Sequence, residues 1–240
     1  MDGTLFTLSG ATLVARGTGA LWWPEHRTLC VSDLHLGRAA RMARHGGSLL
    51  PPFETEDTLQ RLDAEIAALA PACVICLGDS FDDTGAADAL PEAARLWIAR
   101  MQAGRRWVWI EGNHDPGPVD LGGRHAQELR TGPLVFRHIA RPDATGEVSG
   151  HYHPKAGLAT RAGRVSRPCF LIDPARVILP AFGTYTGGLA ADAAVFDPLM
   201  SDQARALMIG PGAIMLPRPR KGPRRAAGGD RGRHGPISRV

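Results

Sequence analysis

Lysine is almost missing from this chain. Of 240 residues only Lys155 and Lys221 are lysine, and neither stands in a G-x-x-x-x-G-K-[ST] run, so a P-loop nucleotidase is excluded. No G-x-S-x-G nucleophile elbow occurs. Cysteine is scarce as well: four residues do not make a disulfide framework. Cys73 and Cys76 form a C-x-x-C within the apolar run Ala72-Cys73-Val74-Ile75-Cys76-Leu77. In a strand they would point to opposite faces and could not clamp one metal. No second C-x-x-C completes a zinc site. All four read as small buried hydrophobes in a reducing compartment, hence a cytoplasmic protein, with a thioredoxin-type redox pair as the weaker reading. Long apolar runs are lacking too. The most apolar stretch, Ile66 to Leu77, is twelve residues and contains Pro71, where a membrane span needs about 20, so no membrane partner is expected. Met1-Asp2-Gly3-Thr4-Leu5 offers no basic region followed by an apolar core, so no secretory signal is expected there.

What is present is ordinary for a soluble globular protein: 44% apolar and 22% charged residues. The net charge of +4 is unevenly spread. Residues 217–240 hold eight Arg or Lys and one acid, Asp230, for +7. The other 216 residues hold 20 basic and 23 acidic groups, for −3. The terminal segment is rich in Arg, Gly and Pro and poor in large apolar residues, so it cannot offset the entropy of ordering. The expected organisation is a folded domain over 1–216 and a disordered basic tail over 217–240.

Several apolar runs stop at short polar segments. Thr28 to Ser32 reads as a buried strand followed by Asp33-Leu34-His35-Leu36-Gly37. Leu59, Leu62, Ile66 and Leu69 recur at helical spacing, with Thr55 as the expected N-cap and Pro71 after the end. Cys73 to Leu77 is the next strand, leading to Gly78-Asp79-Ser80-Phe81-Asp82-Asp83. A helix around Pro91 to Met101 leads to the strand Trp107 to Ile110 and then Gly112-Asn113-His114-Asp115. Leu134 to Phe136 ends near His138, and Glu147 to Ser149 runs into Gly150-His151-Tyr152-His153-Pro154. Further strands are expected at Cys169–Ile172, Val177–Leu179, Ala193–Phe196 and Ala213–Leu216. Alternating strands and helices predict an α/β domain, with sheet added later without intervening helices.

Asp, His and Asn thus collect at the C-terminal ends of five predicted strands, where an open α/β sheet has its ligand crevice. The candidates are Asp33, His35, Asp79, Asn113, His114, His138, His151 and His153. They offer oxygen and imidazole nitrogen but no thiolate, a set that suits Mn²⁺, Fe, Zn²⁺ or Ni²⁺. They are too many for one four-coordinate structural zinc, so a centre of two divalent ions is the direct reading. Each piece alone has a bland alternative. D-x-H arises by chance, G-D-x-x-D could be a turn with Asp82 capping the next helix, and a lone His138 suits a satisfied loop histidine. The signal is the ordered series D-x-H, G-D-x-x-D, G-N-H-D, H and G-H-x-H.

That series resembles the calcineurin-like metallophosphoesterase superfamily over roughly residues 28–155. The resemblance implies an αββα sandwich of two mixed sheets flanked by helices. It implies that Asp33, His35 and His153 bind one metal, that Asp79 bridges, and that Asn113, His138 and His151 bind the second. A closer resemblance is to the DNA-ligase-associated metallophosphoesterases, repair endonucleases or phosphodiesterases of bacteria. It rests on Gly19-Ala20-Leu21-Trp22-Trp23-Pro24, Asp33 to Arg38, Leu77 to Phe81, Gly150 to Pro154 and Leu179 to Gly188. Two departures stand out: His138 lies in Phe136-Arg137-His138-Ile139-Ala140, without the usual flanking residues, and Arg38 replaces the usual lysine.

The implied activity is phosphodiester hydrolysis with Mn²⁺ as the foremost ion, a bridging hydroxide attacking phosphorus. His114 is placed to assist the leaving group, Asp115 to orient His114, and Arg38 to contact a phosphate oxygen. The expected substrate is DNA or another phosphodiester. An ATP-dependent DNA ligase, with its associated helicase and exonuclease, are the implied partners. A small-molecule phosphodiesterase or phosphomonoesterase is the alternative within the enzyme class, and a non-catalytic scaffold of the same fold is the alternative outside it. The loop Gly183–Gly188 either lines the cleft or is a tight turn that needs glycine. Trp107 and Trp109 are expected in the core, and Trp22 and Trp23 in an edge cluster.

Overall fold

The computed structural model describes residues 3–44, 51, 53–83, 85–161, 163–210 and 212–220. The chain opens with a hairpin, Thr4–Leu8 (β1) and Ala11–Ala15 (β2), in which Leu8 pairs with Ala11. Ser9 and Gly10 between them both have positive φ, the geometry that lets a two-residue turn follow the strand twist. Leu21–Trp23 (β3), Thr28–Val31 (β4), Cys73–Leu77 (β5), Arg106–Ile110 (β6) and Arg124–Ala126 (β7) complete a seven-stranded sheet in sequence order. Pairing is antiparallel from β1 to β4 and parallel from β4 to β7. β4 is buried along its whole length and β5 along most of it, as befits parallel strands covered on both faces.

The second sheet comprises Glu128–Thr131 (β8), Leu134–Arg137 (β9), Glu147–Ser149 (β10), Gly163–Ile172 (β12), Arg176–Ile178 (β13), Arg205–Met208 (β14) and Ile214–Pro217 (β15). Their order is β15-β14-β12-β13-β10-β9-β8, with Lys155–Thr160 (β11) paired to β12. Here β10 is parallel to both β9 and β13 while the other pairs are antiparallel, so both sheets are mixed.

Three apolar layers hold the sheets. Glu54–Leu69 (α2) and Glu92–Gln102 (α3) bury Leu59, Leu62, Ile66, Ile98 and Met101 on the outer face of the first sheet, against Val31, Val74 and Trp107. Leu13, Ile75 and Val108 meet Phe136, Phe170 and Val177 between the sheets. Leu171, Ile178 and Met208 face outward from the second sheet under Phe196, Leu199 and Met200. The expected αββα sandwich therefore forms, with a thin outer layer over the second sheet. Cys73 packs in the inter-sheet layer and Cys76 under the helices, as strand alternation requires. Trp107 and Trp109 are core, and so are Trp22 and Trp23, which point to opposite sides of β3. Among the described residues no helix is long and apolar enough to cross a membrane.

The expected strand at Ala193–Phe196 is instead a 3-10 turn, Ala194–Phe196. Val195 is exposed while Phe196, Leu199 and Met200 are buried, so burial recurs at turn spacing rather than every second residue. The helix expected to start with a Thr55 cap starts at Glu54, and Thr55 Oγ1 accepts a hydrogen bond from Gly37 N at 3.0 Å. The boundary expected near Pro217 falls inside the fold. Pro217 pairs with Arg205, and the Arg218 guanidinium is buried against Ala191 O, Ala193 O and Asp197. Arg220 reaches Asp202 and Met200 O. The rest of the expected tail, 221–240, lies outside the described residues.

Candidate metal centre

The parallel strands β4, β5 and β6 of one sheet and β9 and β10 of the other all release their chains at one crevice. Asp33 and His35 follow β4, Asp79 follows β5, Asn113 and His114 follow β6, His138 follows β9, and His151 and His153 follow β10. The loops are laced together by backbone bonds: Asp33 N to Gly78 O, His35 N to Asp79 O, and Gly150 N to His138 O.

Tight turns are needed to aim so many side chains at one point. Among the described residues nine non-glycine positions have left-handed φ, and five are Asp33, His35, Asp79, His151 and His153. Such backbone costs on the order of 1–3 kcal/mol per residue and persists only where surrounding contacts over-determine it. Gly150 shows how close the approach is: a Cβ there would stand 1.8 Å from Ser32 Oγ and 2.6 Å from Asp33 Oδ2. At Gly112 a Cβ would stand 2.2 Å from Asp79 N.

Among the described residues three clusters result, one of them His35, Asp82 and His114 at the cleft rim. Asp33, His35 and His153 bring their ligand atoms within 4.8 Å of one another, and so do Asp79, His138 and His151. In the first, His153 Nε2 lies 3.2 Å from Asp33 Oδ1 and 3.4 Å from His35 Nε2. In the second, His138 Nε2 lies 3.3 Å from Asp79 Oδ2, 3.2 Å from His151 Nδ1 and 3.0 Å from Asn113 Oδ1. Imidazole nitrogens that face each other beside a buried carboxylate repel unless a proton or a cation lies among them. The donor set is all nitrogen and oxygen, so it fits a borderline or hard divalent ion.

The carboxylates are tuned to stay ionised. Burial would raise the Asp79 pKa, but the hydrogen bond and charge of His138, the His114 N–H and the charge of His35 hold it far below the usual range. Burial would likewise raise Asp33, and His153, His138 and Ser32 outweigh it. Burial alone would lower His138, whereas Asp79 and Asp33 hold its pKa up. His151 is pushed down by burial and by His138. The clusters thus present anionic carboxylates to whatever occupies them.

Arg38 and His114 also line this cleft of about 240 Å³, as does Gly187, so the Gly183–Gly188 loop is part of its wall. Arg41 does too, although the sequence did not single it out. Arg38 and Arg41 are three apart on Arg38–Arg44 (α1), a spacing that puts both on one helix face. Asp82, for which the sequence offers only a cap as the bland alternative, is also part of the site. It is fully buried, stands 3.0 Å from His35 Nδ1, and pairs with Arg38 and Arg41. The second Asp of G-D-x-x-D was its signal.

Asp115 does not orient His114. Its two oxygens accept hydrogen bonds from Asp79 N, Ser80 N, Phe81 N and Gly112 N at 2.7–3.2 Å. Burial and the neighbouring Asp79 charge raise its pKa to about 6. His114 is oriented instead by the Asp82 carbonyl, 2.9 Å from its Nδ1, while its own N–H donates to Asp79 Oδ1 at 2.9 Å. Proximity in sequence suggested the Asp115–His114 pair, but the turn after Asn113 sends the carboxylate under the loop that carries Asp79.

Residues 26–165 match the family model described as calcineurin-like phosphoesterase. The crystal structure of the Pseudomonas putida nuclease MPE is similar, with a TM-score of 0.68 and 30% sequence identity, over 86% of this chain and 96% of that one. No curated protein matches the sequence.

Proposed function

Because the chain belongs to the calcineurin-like phosphoesterase family and is a metal-dependent phosphoester hydrolase, we propose that its cleft opens phosphodiester links in DNA. The observation that carries this is that the Asp33/His35/His153 and Asp79/His138/His151 clusters share one cleft, with His114 and two arginines on its rim. The resemblance to a nuclease supports a nucleic-acid substrate. The sequence motifs shared with ligase-associated enzymes support a role in DNA repair beside an ATP-dependent DNA ligase and its helicase and exonuclease, in the bacterial cytoplasm.

Asp33, His35 and His153 would hold one ion; Asn113, His138 and His151 would hold the other; Asp79 would serve both. Mn²⁺ is the ion we favour, with Fe, Zn²⁺ and Ni²⁺ compatible with the same donors. When bound, such ions polarise phosphoryl oxygens and bring the pKa of water into the neutral range. The remaining work belongs to the protein. Arg38 and Arg41 place positive charge at the cleft wall, where non-bridging phosphate oxygens come to rest. His114 donates Nδ1–H to the Asp82 carbonyl, so its Nε2, when protonated, delivers a proton to the departing oxygen.

The test is turnover of the Mn²⁺-loaded chain on bis-nitrophenyl phosphate, the matching monoester, and nicked or single-stranded DNA. Diester and DNA cleavage that exceeds monoester cleavage, and is lost with the metal in Asp79→Asn, is the expected result. Monoester preference, or wild-type turnover in Asp79→Asn, overturns it.

A further inference from the structure

A pocket of about 570 Å³ shares Asn113 with the metal cleft and is also lined by His138 of the Asp79/His138/His151 cluster. Its far side is built from Glu111, Pro116, Gln127, Ile139 and Arg141. Ile139 is 45% exposed directly beside a buried candidate ligand, an apolar surface left open where a polar residue would be easily accommodated. Glu111 is held by its backbone, whose N–H donates to Ala126 O, and its carboxylate makes no hydrogen bond or ion pair among the described residues. Arg137 lines the floor with its side chain 7% exposed, pairs with Glu128 and Glu147, and keeps a buried Nε without a partner.

The charged side chains other than His138 are Glu111, Glu128, Arg137 and Arg141, which sum to zero. A pocket for a second phosphate would carry net positive charge, and one for a cation net negative. This one mixes open apolar surface with both donors and acceptors. A nucleobase has that character, with an apolar face and a polar edge. The volume falls within the roughly 300–1,000 Å³ typical of small-molecule sites.

We propose that this pocket holds the nucleoside that stays esterified to the phosphate, while the leaving alcohol departs on the His114 side. His114 lines the cleft but not the pocket, so the two substituents of phosphorus separate to opposite sides. The base lies on Ile139 and Pro116, with Glu111, Gln127 and Arg141 at its edge. The proposal rests on the phosphodiesterase reading of the cleft.

The test compares the nitrophenyl ester of thymidine monophosphate with methyl nitrophenyl phosphate, which share a leaving group but differ in the retained substituent, a methyl group being too small to fill the pocket. Full-length Mn²⁺-loaded protein carries Ile139→Glu or, separately, Gln127→Trp, both at exposed positions. KM for the nucleoside ester should rise about tenfold with kcat kept, the scale of one lost base contact. Both constants for methyl nitrophenyl phosphate should stay within about twofold, as for ordinary surface changes. Equal shifts on the two substrates, or no shift on either, overturn the proposal. Calorimetric titration with thymidine monophosphate and with inorganic phosphate separates its failure from that of the underlying reading. Weakened nucleotide binding with unchanged phosphate binding upholds the pocket even if hydrolysis is undetected, and unchanged nucleotide binding in both variants removes it even if the diester is cleaved.

Discussion

The Asp82 carboxylate stands 3.0 Å from His35 Nδ1, and the same Oδ1 accepts a hydrogen bond from Arg38 Nη1 at 3.1 Å. Its other oxygen takes Arg41 Nε. One fully buried carboxylate thus couples a candidate metal ligand to both arginines of the cleft wall. Burial opposes its ionisation, but His35, Arg41 and Arg38 hold its pKa well below the usual carboxylate range.

Asp82→Ala should therefore weaken metal retention about 10–100-fold, the usual effect of removing a group that orients a ligand. Asp82→Asn, which keeps an acceptor oxygen, should lose less. Metal content after dialysis against graded chelator, alongside the melting temperature, gives the answer. Full retention in a normally folded Asp82→Ala protein would show that His35 needs no such support.

His114→Ala should keep its metals, because Asp33/His35/His153 and Asp79/His138/His151 stay whole and only the third group, His35/Asp82/His114, loses a member. Turnover on DNA should fall roughly 10²–10⁴-fold if the imidazole protonates the leaving oxygen. The loss should shrink with a nitrophenol leaving group, which needs little protonation. Loss of metal in this variant would reassign His114 to the ligand set.

Asp115→Ala should act on folding rather than on proton transfer. Four backbone N–H groups of the Asp79 and Gly112 loops would lose their acceptor. The expected cost is about 4 kcal/mol or more, since each stranded buried donor costs about 1–3 kcal/mol of uncompensated desolvation. Denaturant unfolding of the metal-free protein measures it. If stability is unchanged while the alkaline limb of the pH–rate profile moves, Asp115 acts on the general acid His114 after all.

Removing residues 221–240 should leave the fold intact, because Arg218 and Arg220 are already engaged by it. The deleted segment carries six basic residues and one acid, +5. If it contacts DNA, the slope of log K against log salt should flatten by roughly 0.7 per lost phosphate contact on single strands and 0.9 on duplex. Turnover of a small nitrophenyl diester should not change. An unaltered salt slope would leave the segment without a part in DNA binding.

Much of the site was legible because its motifs are local. D-x-H, G-D-x-x-D, G-N-H-D and G-H-x-H each follow an apolar run, and a strand end is where an α/β sheet places chemistry. The middle strands and both long helices were legible for the same reason, since buried parallel strands and amphipathic helices carry strong periodic signals. Local pattern does not mark the N-terminal hairpin, α1 or β11, and it predicts a strand where Ala194–Phe196 forms a 3-10 turn, because short runs fit either until a partner is present.

Local pattern pointed to the residues that gather in the cleft and to an α/β domain with two mixed sheets. Tertiary structure alone decided what each polar side chain does. Asp82 and Asp115 are alike in sequence terms, acids that close a ligand-bearing motif. One lies 3.0 Å from His35 across the cleft wall and the other is buried under four N–H groups of two adjoining loops. The partner of a carboxylate is set by which loop crosses above it. That depends on contacts between residues such as Asp79 and Asp115, 36 positions apart in the chain, which local pattern does not encode.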